Sequence, residues 1–161
     1  MNKTSPSGQS HALVWVFLVL AAALLVWGIV RYGLSTGVGT HFWTDIFARF
    51  GGPMTFRFFL QPAMALAAAV PAGIRDAKEG RVGFIWATLV NPKMRTGRLR
   101  EALDATARIL LLGLIMDLIY QVRVFDRFFP VEALVMAIAL ALIPYLIFRE
   151  IVWAIALAIK R

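Results

Sequence analysis

Asp117, Tyr120 and Gln121 are the residues of this chain whose types and spacing could do chemistry. They stand at i, i+3 and i+4, so a helix gathers them on one stripe, with Gly113 one turn below the carboxylate. Their surroundings, ILLLGLIMDLIYQ, are otherwise apolar, which places the carboxyl group in a membrane rather than in water. An acid in that setting has two uses. It can receive hydrogen bonds and a cationic side chain from a neighbouring helix, fastening the two together, or it can take up a proton or cation during transport.

A matching stripe lies earlier in the chain. Arg57, Gln61 and Ala65 step by four, as do Gln121, Asp117 and Gly113. With the outer ends of the two helices set at Met54 and Val124, antiparallel packing is expected to bring Arg57 beside Gln121 and Gln61 beside Asp117. Ala65 then meets Gly113 where the backbones come closest. The candidate site is therefore an intramembrane polar cluster of Arg57, Gln61, Asp117, Tyr120 and Gln121, either structural or ion-binding.

Other chemistries find little material. The chain has no cysteine, which removes disulfides, thiolate catalysis and iron-sulfur ligation. His11 precedes the first apolar run and His41 sits in a surface segment, so no pair of mid-membrane histidines is expected to ligate haem or a metal. Neither a nucleophile elbow, a phosphate-binding loop nor a zinc-protease motif is present. No catalytic residue, metal or cofactor is expected, and the chain is read as non-enzymatic.

The elements that must position the cluster follow from hydropathy. Of 161 residues 60% are apolar, and the mean hydropathy of +0.75 exceeds that of an ordinary soluble domain. The apolar residues fall in four blocks, each near the roughly 20 residues a span needs. The expected fold is all-α: a single polytopic membrane domain with transmembrane helices at about residues 12–31, 54–74, 105–122 and 131–148, plus an interfacial amphipathic helix at about 41–50. The first block is longer than the roughly 7–15 residues of a signal-peptide core and is read as a span. In the interfacial helix, Phe42, Trp43, Ile46, Phe47 and Phe50 share one side, while Thr44, Asp45 and Arg49 share the polar side. Small residues recur every four positions in the second span (Ala65, Ala69, Gly73) and in the last (Ala133, Ala137, Ala141), a spacing that lets helices approach closely.

Residues 75–104 form a basic connector. Arg75, Lys78, Arg81, Lys93, Arg95, Arg98 and Arg100 are expected to meet anionic lipid headgroups there. Within it, residues 82–90 are apolar but too short to span, and Trp86 suits an interfacial anchor. Asn91-Pro92 is read as a break, with a new helix opening near Thr96 or Gly97. Glu101 and Asp104 are assigned to basic neighbours on their own helix. Residues 151–159 either extend the last span or lie at the surface.

Charge then sets topology. Of the 17 basic residues, 12 fall on the side of the two termini and the connector and 5 on the other. The positive-inside rule places both termini in the cytoplasm. The net charge of +8 is accounted for in this way, and no nucleic-acid signature accompanies it.

Three short patterns carry a resemblance: Arg57-Phe58-x-x-Gln61-Pro62, Gly73-x-Arg75-Asp76-Ala77-x-x-Gly80-Arg81, and Asp117-x-x-Tyr120-Gln121. Across about residues 54–150 the chain resembles a family of small, uncharacterised bacterial integral membrane proteins. The resemblance implies a bacterial inner membrane and brings no activity with it. The expected function is that of an accessory or scaffold subunit of a membrane assembly, with a homo-oligomer or another membrane protein as partner. The alternative is a small oligomeric ion or solute transporter using Asp117 as its proton or cation site.

Overall fold

A computed structural model describes residues 6–32, 44, 47, 49, 51, 52, 55–125 and 129–160. Residues 33–43 and most of the segment expected to form the interfacial helix lie outside the described residues. The described chain is all-helical, without a strand. Helix α1 spans Pro6–Tyr32, α2 Arg57–Lys78, α3 Phe84–Val90, α4 Pro92–Tyr120, α5 Pro130–Ala137 and α6 Ile143–Lys160. A π-helical turn, Gln121–Phe125, extends α4, and a second, Ile138–Leu142, joins α5 to α6 in one rod. The second turn ends two residues before Pro144. A proline ring displaces the carbonyl one turn back, and wider winding is one way a helix absorbs that. Residues 151–159 continue this rod to Lys160.

Three helices are long and apolar enough to cross a membrane: Gln9–Arg31, Arg57–Lys78 and Pro130–Lys160. Helix α4 has 29 residues, yet its first half carries Lys93, Arg95, Arg98, Arg100, Glu101 and Asp104, and Arg108 and Asp117 follow, which keep it outside that class. It begins at Pro92, earlier than the expected opening near Thr96. The reason is local: the Asn91 side chain caps the helix by accepting from the Lys93 N–H at 3.2 Å, and proline suits the first helical position because the N–H it lacks would be unsatisfied there.

Helix α2 ends by a different device. Gly80 takes the left-handed conformation, with φ of +66°, which costs glycine nothing and other residues more. The Arg81 N–H then reaches the Asp76 carbonyl at 2.9 Å, and the Gly80 N–H reaches that of Ala77. This pair of bonds closes the helix and turns the chain so that Arg81 faces back across the helix end.

The small-residue faces work inside the chain. Ala65, Ala69, Ala133, Ala137 and Ala141 are all completely buried and share a core with Leu110 and Leu114 of α4 and Phe17 and Leu24 of α1. At Gly73 a β-carbon would lie 2.8 Å from the backbone oxygen of Arg149 and 2.9 Å from Val152. Helices α2 and α6 thus approach closely at this level, and the small-residue face of α2 is covered by a helix of the same chain. Helix α1 is the least embedded: Trp15, Val19, Val26, Trp27 and Val30 all face outward.

Candidate functional site

Two clusters of buried charges hold the helices at opposite ends of the bundle. At the end where α2 begins, Arg57 is 1% exposed and its Nη2 approaches Asp117 Oδ1 to 2.6 Å as a charge contact. The same guanidinium lies over the Tyr120 ring, 5.2 Å from its centroid. The Gln121 amide donates to Asp117 Oδ2 at 2.8 Å and to the Phe129 carbonyl at 3.1 Å. Its own oxygen accepts the Phe129 N–H at 2.7 Å. Gln121 therefore ties the end of α4 to the start of α5 while completing the carboxylate's shell.

All five residues of the expected cluster are buried: Arg57, Gln61, Asp117, Tyr120 and Gln121. Their register differs from the expectation by one helical turn. Arg57 meets Asp117 rather than Gln121, and Gln61 packs on Gly113, where a β-carbon would sit 2.9 Å from the Gln61 amide nitrogen. Two facts explain the slide. Helix α2 starts at Arg57 instead of Met54, and at low dielectric a guanidinium gains more from a carboxylate than from an amide. The Gln61 amide has no hydrogen-bond partner among the described residues.

Two further members escaped sequence reasoning. Arg49, assigned to the polar face of a surface helix, is fully buried, with Nη2 donating to Glu132 Oε2 at 2.9 Å and Nε 3.4 Å from Asp117. Glu132, at the start of α5, is 1% exposed. This cluster at the start of α2, the outer one in the expected topology, thus holds two guanidiniums and two carboxylates. A partial signal existed, since an acid opening an apolar span needs a cation, but Arg123 and Arg127 lie nearer in the sequence than Arg49.

The second cluster was not anticipated. Asp76, near the end of α2, accepts from Arg98 of α4 through Oδ1 at 2.9 Å. Its Oδ2 accepts from Arg149 of α6, whose Nε and Nη2 lie at 2.8 and 2.7 Å. Arg149 also reaches Glu101 Oε2 at 2.8 Å and stacks over the Phe84 ring at 4.8 Å. Glu101 accepts a further bond from Arg81 at 3.0 Å. One acid on α2 and one on α4 therefore bind arginines from three elements. Glu101 keeps the expected kind of neighbour on its own helix, Arg98 at 3.6 Å, but its shorter contacts are to Arg149 and Arg81, and Asp104 pairs with His11 of α1 at 2.9 Å rather than with a base on α4. Long-range pairs of this kind leave no periodicity in the sequence.

Electrostatics at the rim follow. Burial alone would raise the Glu101 carboxyl, but the hydrogen bonds from Arg149 and Arg81 hold it below its ordinary value. Of the residues assigned to headgroups, Arg98 is buried against Asp76 and the Val82 carbonyl. Arg81 is tied to Glu79 and Glu101. Arg75, Lys78, Lys93, Arg95 and Arg100 remain exposed.

Helix α3 docks on the same cluster. The Ile85 N–H donates to Glu150 Oε2 at 3.1 Å, and Trp153 Nε1 donates to the Arg81 carbonyl at 2.9 Å. Phe84 and Ala87 face inward while Trp86 and Leu89 face out. Among the described residues no group of three His, Asp or Glu side chains could hold a metal ion.

Comparison with known proteins gave no match: no family model fits the sequence, and no curated protein or solved structure matches it.

Proposed function

We propose that the chain is a four-span membrane protein without enzymatic activity, an accessory or scaffold subunit whose buried charges fasten its own helices. The observation that carries this is the distance between the two clusters. Arg57 and Asp76 are nineteen positions apart on α2, and Arg98 and Asp117 are nineteen apart on α4. At 1.5 Å per residue each interval is about 28 Å, close to the roughly 30 Å hydrocarbon thickness of a bilayer. Helix α4 is then the remaining span, with Arg98 and Asp117 at the two levels where partners receive them; between them Asp104 is paired with His11, and the exposed Arg108 reaches the headgroups by extending its side chain.

End contacts support the same arrangement. Helix α1 meets α4 at His11 and Asp104, and at its other end Gly28 packs on Pro130 and Val131. The connector and both termini then share a side, and the basic excess puts that side in the cytoplasm of a bacterial inner membrane. The outward face of α1 is the surface left for lipid, a partner membrane protein or a second copy.

The transport reading rests on Asp117 as a proton or cation site, and the unpartnered Gln61 amide one turn further in is the observation in its favour. Against it, Asp117 already has partners inside the bundle: Arg49 and Arg57 lie within ion-pair distance of its Oδ1, and Gln121 donates to its Oδ2. Purified protein in liposomes loaded with a pH-sensitive dye tests the choice. Proton flux equal to that of protein-free liposomes is the expected result. Flux that Asp117→Asn abolishes would establish the transporter instead.

A further inference from the structure

Apart from the two clusters, the structure holds a cleft of about 450 Å³ between α1 and the first half of α4. Helix α1 lines it with His11, Val14, Trp15 and Leu18, an i, i+3, i+4, i+7 stripe. From α4 come Arg95, Thr96 and Arg100, with Leu99 and Leu103 as the apolar wall and Asp104 beside His11. One cleft thus joins a basic, hydroxyl-bearing part to an aliphatic part. Its volume falls within the roughly 300–1,000 Å³ usual for small-molecule sites.

The charge balance says what it would hold. Arg81, Arg98 and Arg149 are each neutralised by Asp76 or Glu101. Arg95 and Arg100 have no carboxylate within ion-pair distance among the described residues. Two unneutralised guanidiniums that line one cleft from its two flanks, five positions apart on α4, suit an oxyanion with several acceptor oxygens. The aliphatic wall requires that the oxyanion carry a hydrocarbon chain. Asp104, paired with His11, would repel a bare dianion brought close to it and would accept a hydrogen bond from a hydroxyl.

We propose that this cleft binds one acidic phospholipid with a hydroxylated headgroup, its phosphate between Arg95 and Arg100, its acyl chain along Val14, Leu18 and Leu103. A headgroup hydroxyl reaches the His11–Asp104 pair. The inference rests on the four-span reading, which sets this end of α1 and α4 at the inner membrane boundary. It narrows a general attraction of the connector for anionic lipid to a single seat.

Native mass spectrometry of the full chain in detergent tests it, with phosphatidylglycerol, phosphatidylethanolamine, phosphatidylcholine and inorganic phosphate added separately. One phosphatidylglycerol per chain should survive activation that strips the other two lipids. The double variant Arg95→Gln/Arg100→Gln should weaken its retention at least about tenfold, with helicity by circular dichroism unchanged. The pair Arg75→Gln/Lys78→Gln removes the same charge outside the cleft and should leave retention as it was. Equal loss in both pairs would overturn the proposal in favour of diffuse attraction. Equal retention of phosphatidylethanolamine or phosphatidylcholine would also overturn it, as would displacement of the lipid by millimolar inorganic phosphate. Membrane insertion is read separately, from resistance of the membrane-bound chain to alkaline carbonate extraction. An inserted chain that retains no lipid defeats this proposal alone.

Discussion

Replacing Asp76 with leucine should destabilise the protein by about 3–5 kcal/mol, the usual consequence of stripping a buried ion network of its shared partner. Asp76 is 1% exposed, and the two guanidiniums it serves, on Arg98 and Arg149, are 5% and 1% exposed. Neither can turn to water without pulling α4 or α6 away from α2. Unfolding in detergent, followed by circular dichroism, should show the loss. The triple variant Asp76→Leu/Arg98→Met/Arg149→Leu should recover much of it, because the penalty comes from the uncompensated charges rather than from the missing contact. Glu101→Gln provides the contrast. About a third of that side chain is exposed, so screening by water should hold its effect near 1 kcal/mol or below.

The second large effect belongs to Asp117. Asparagine keeps the shape and the bond from Gln121 but removes the charge that faces Arg57 and Arg49. Two fully buried guanidiniums would then share the single carboxylate of Glu132. A loss of about 3 kcal/mol is expected, measured by the same unfolding assay. Arg57→Met combined with Asp117→Leu should lose less than Asp117→Asn alone. Should the single change prove neutral, the outer cluster would have no part in fastening α2 to α4.

The outer cluster was largely legible because its members repeat. Arg57 and Gln61 on one helix, and Asp117 and Gln121 on another, share a spacing of four, and polar groups in apolar surroundings seek each other. Register was not legible, since hydropathy places a helix end only to within about a turn and the choice between Asp117 and Gln121 turns on charge. Arg49 was misplaced for a related reason. Its helix looks amphipathic, and amphipathicity does not say whether the polar face meets water or a buried acid. The inner cluster lay beyond reach, because Asp76, Arg98 and Arg149 come from three helices with no common spacing. Their positions in a basic connector and near a basic terminus made them look like topology signals. The same ambiguity conceals the cleft, where Arg95 and Arg100 differ from Arg98 only in having no acid to meet.

The arrangement as a whole requires the two clusters to lie at opposite faces of one bilayer. Because the chain has no cysteine, a single Gly51→Cys or Glu79→Cys reports its side of the membrane without background. Both positions are exposed, the first near the Arg49 end of the bundle and the second just past the end of α2. In right-side-out vesicles an impermeant maleimide should label Gly51→Cys at once, and Glu79→Cys only after permeabilisation. Labelling of both from the same side would contradict a bundle clamped at the two membrane surfaces.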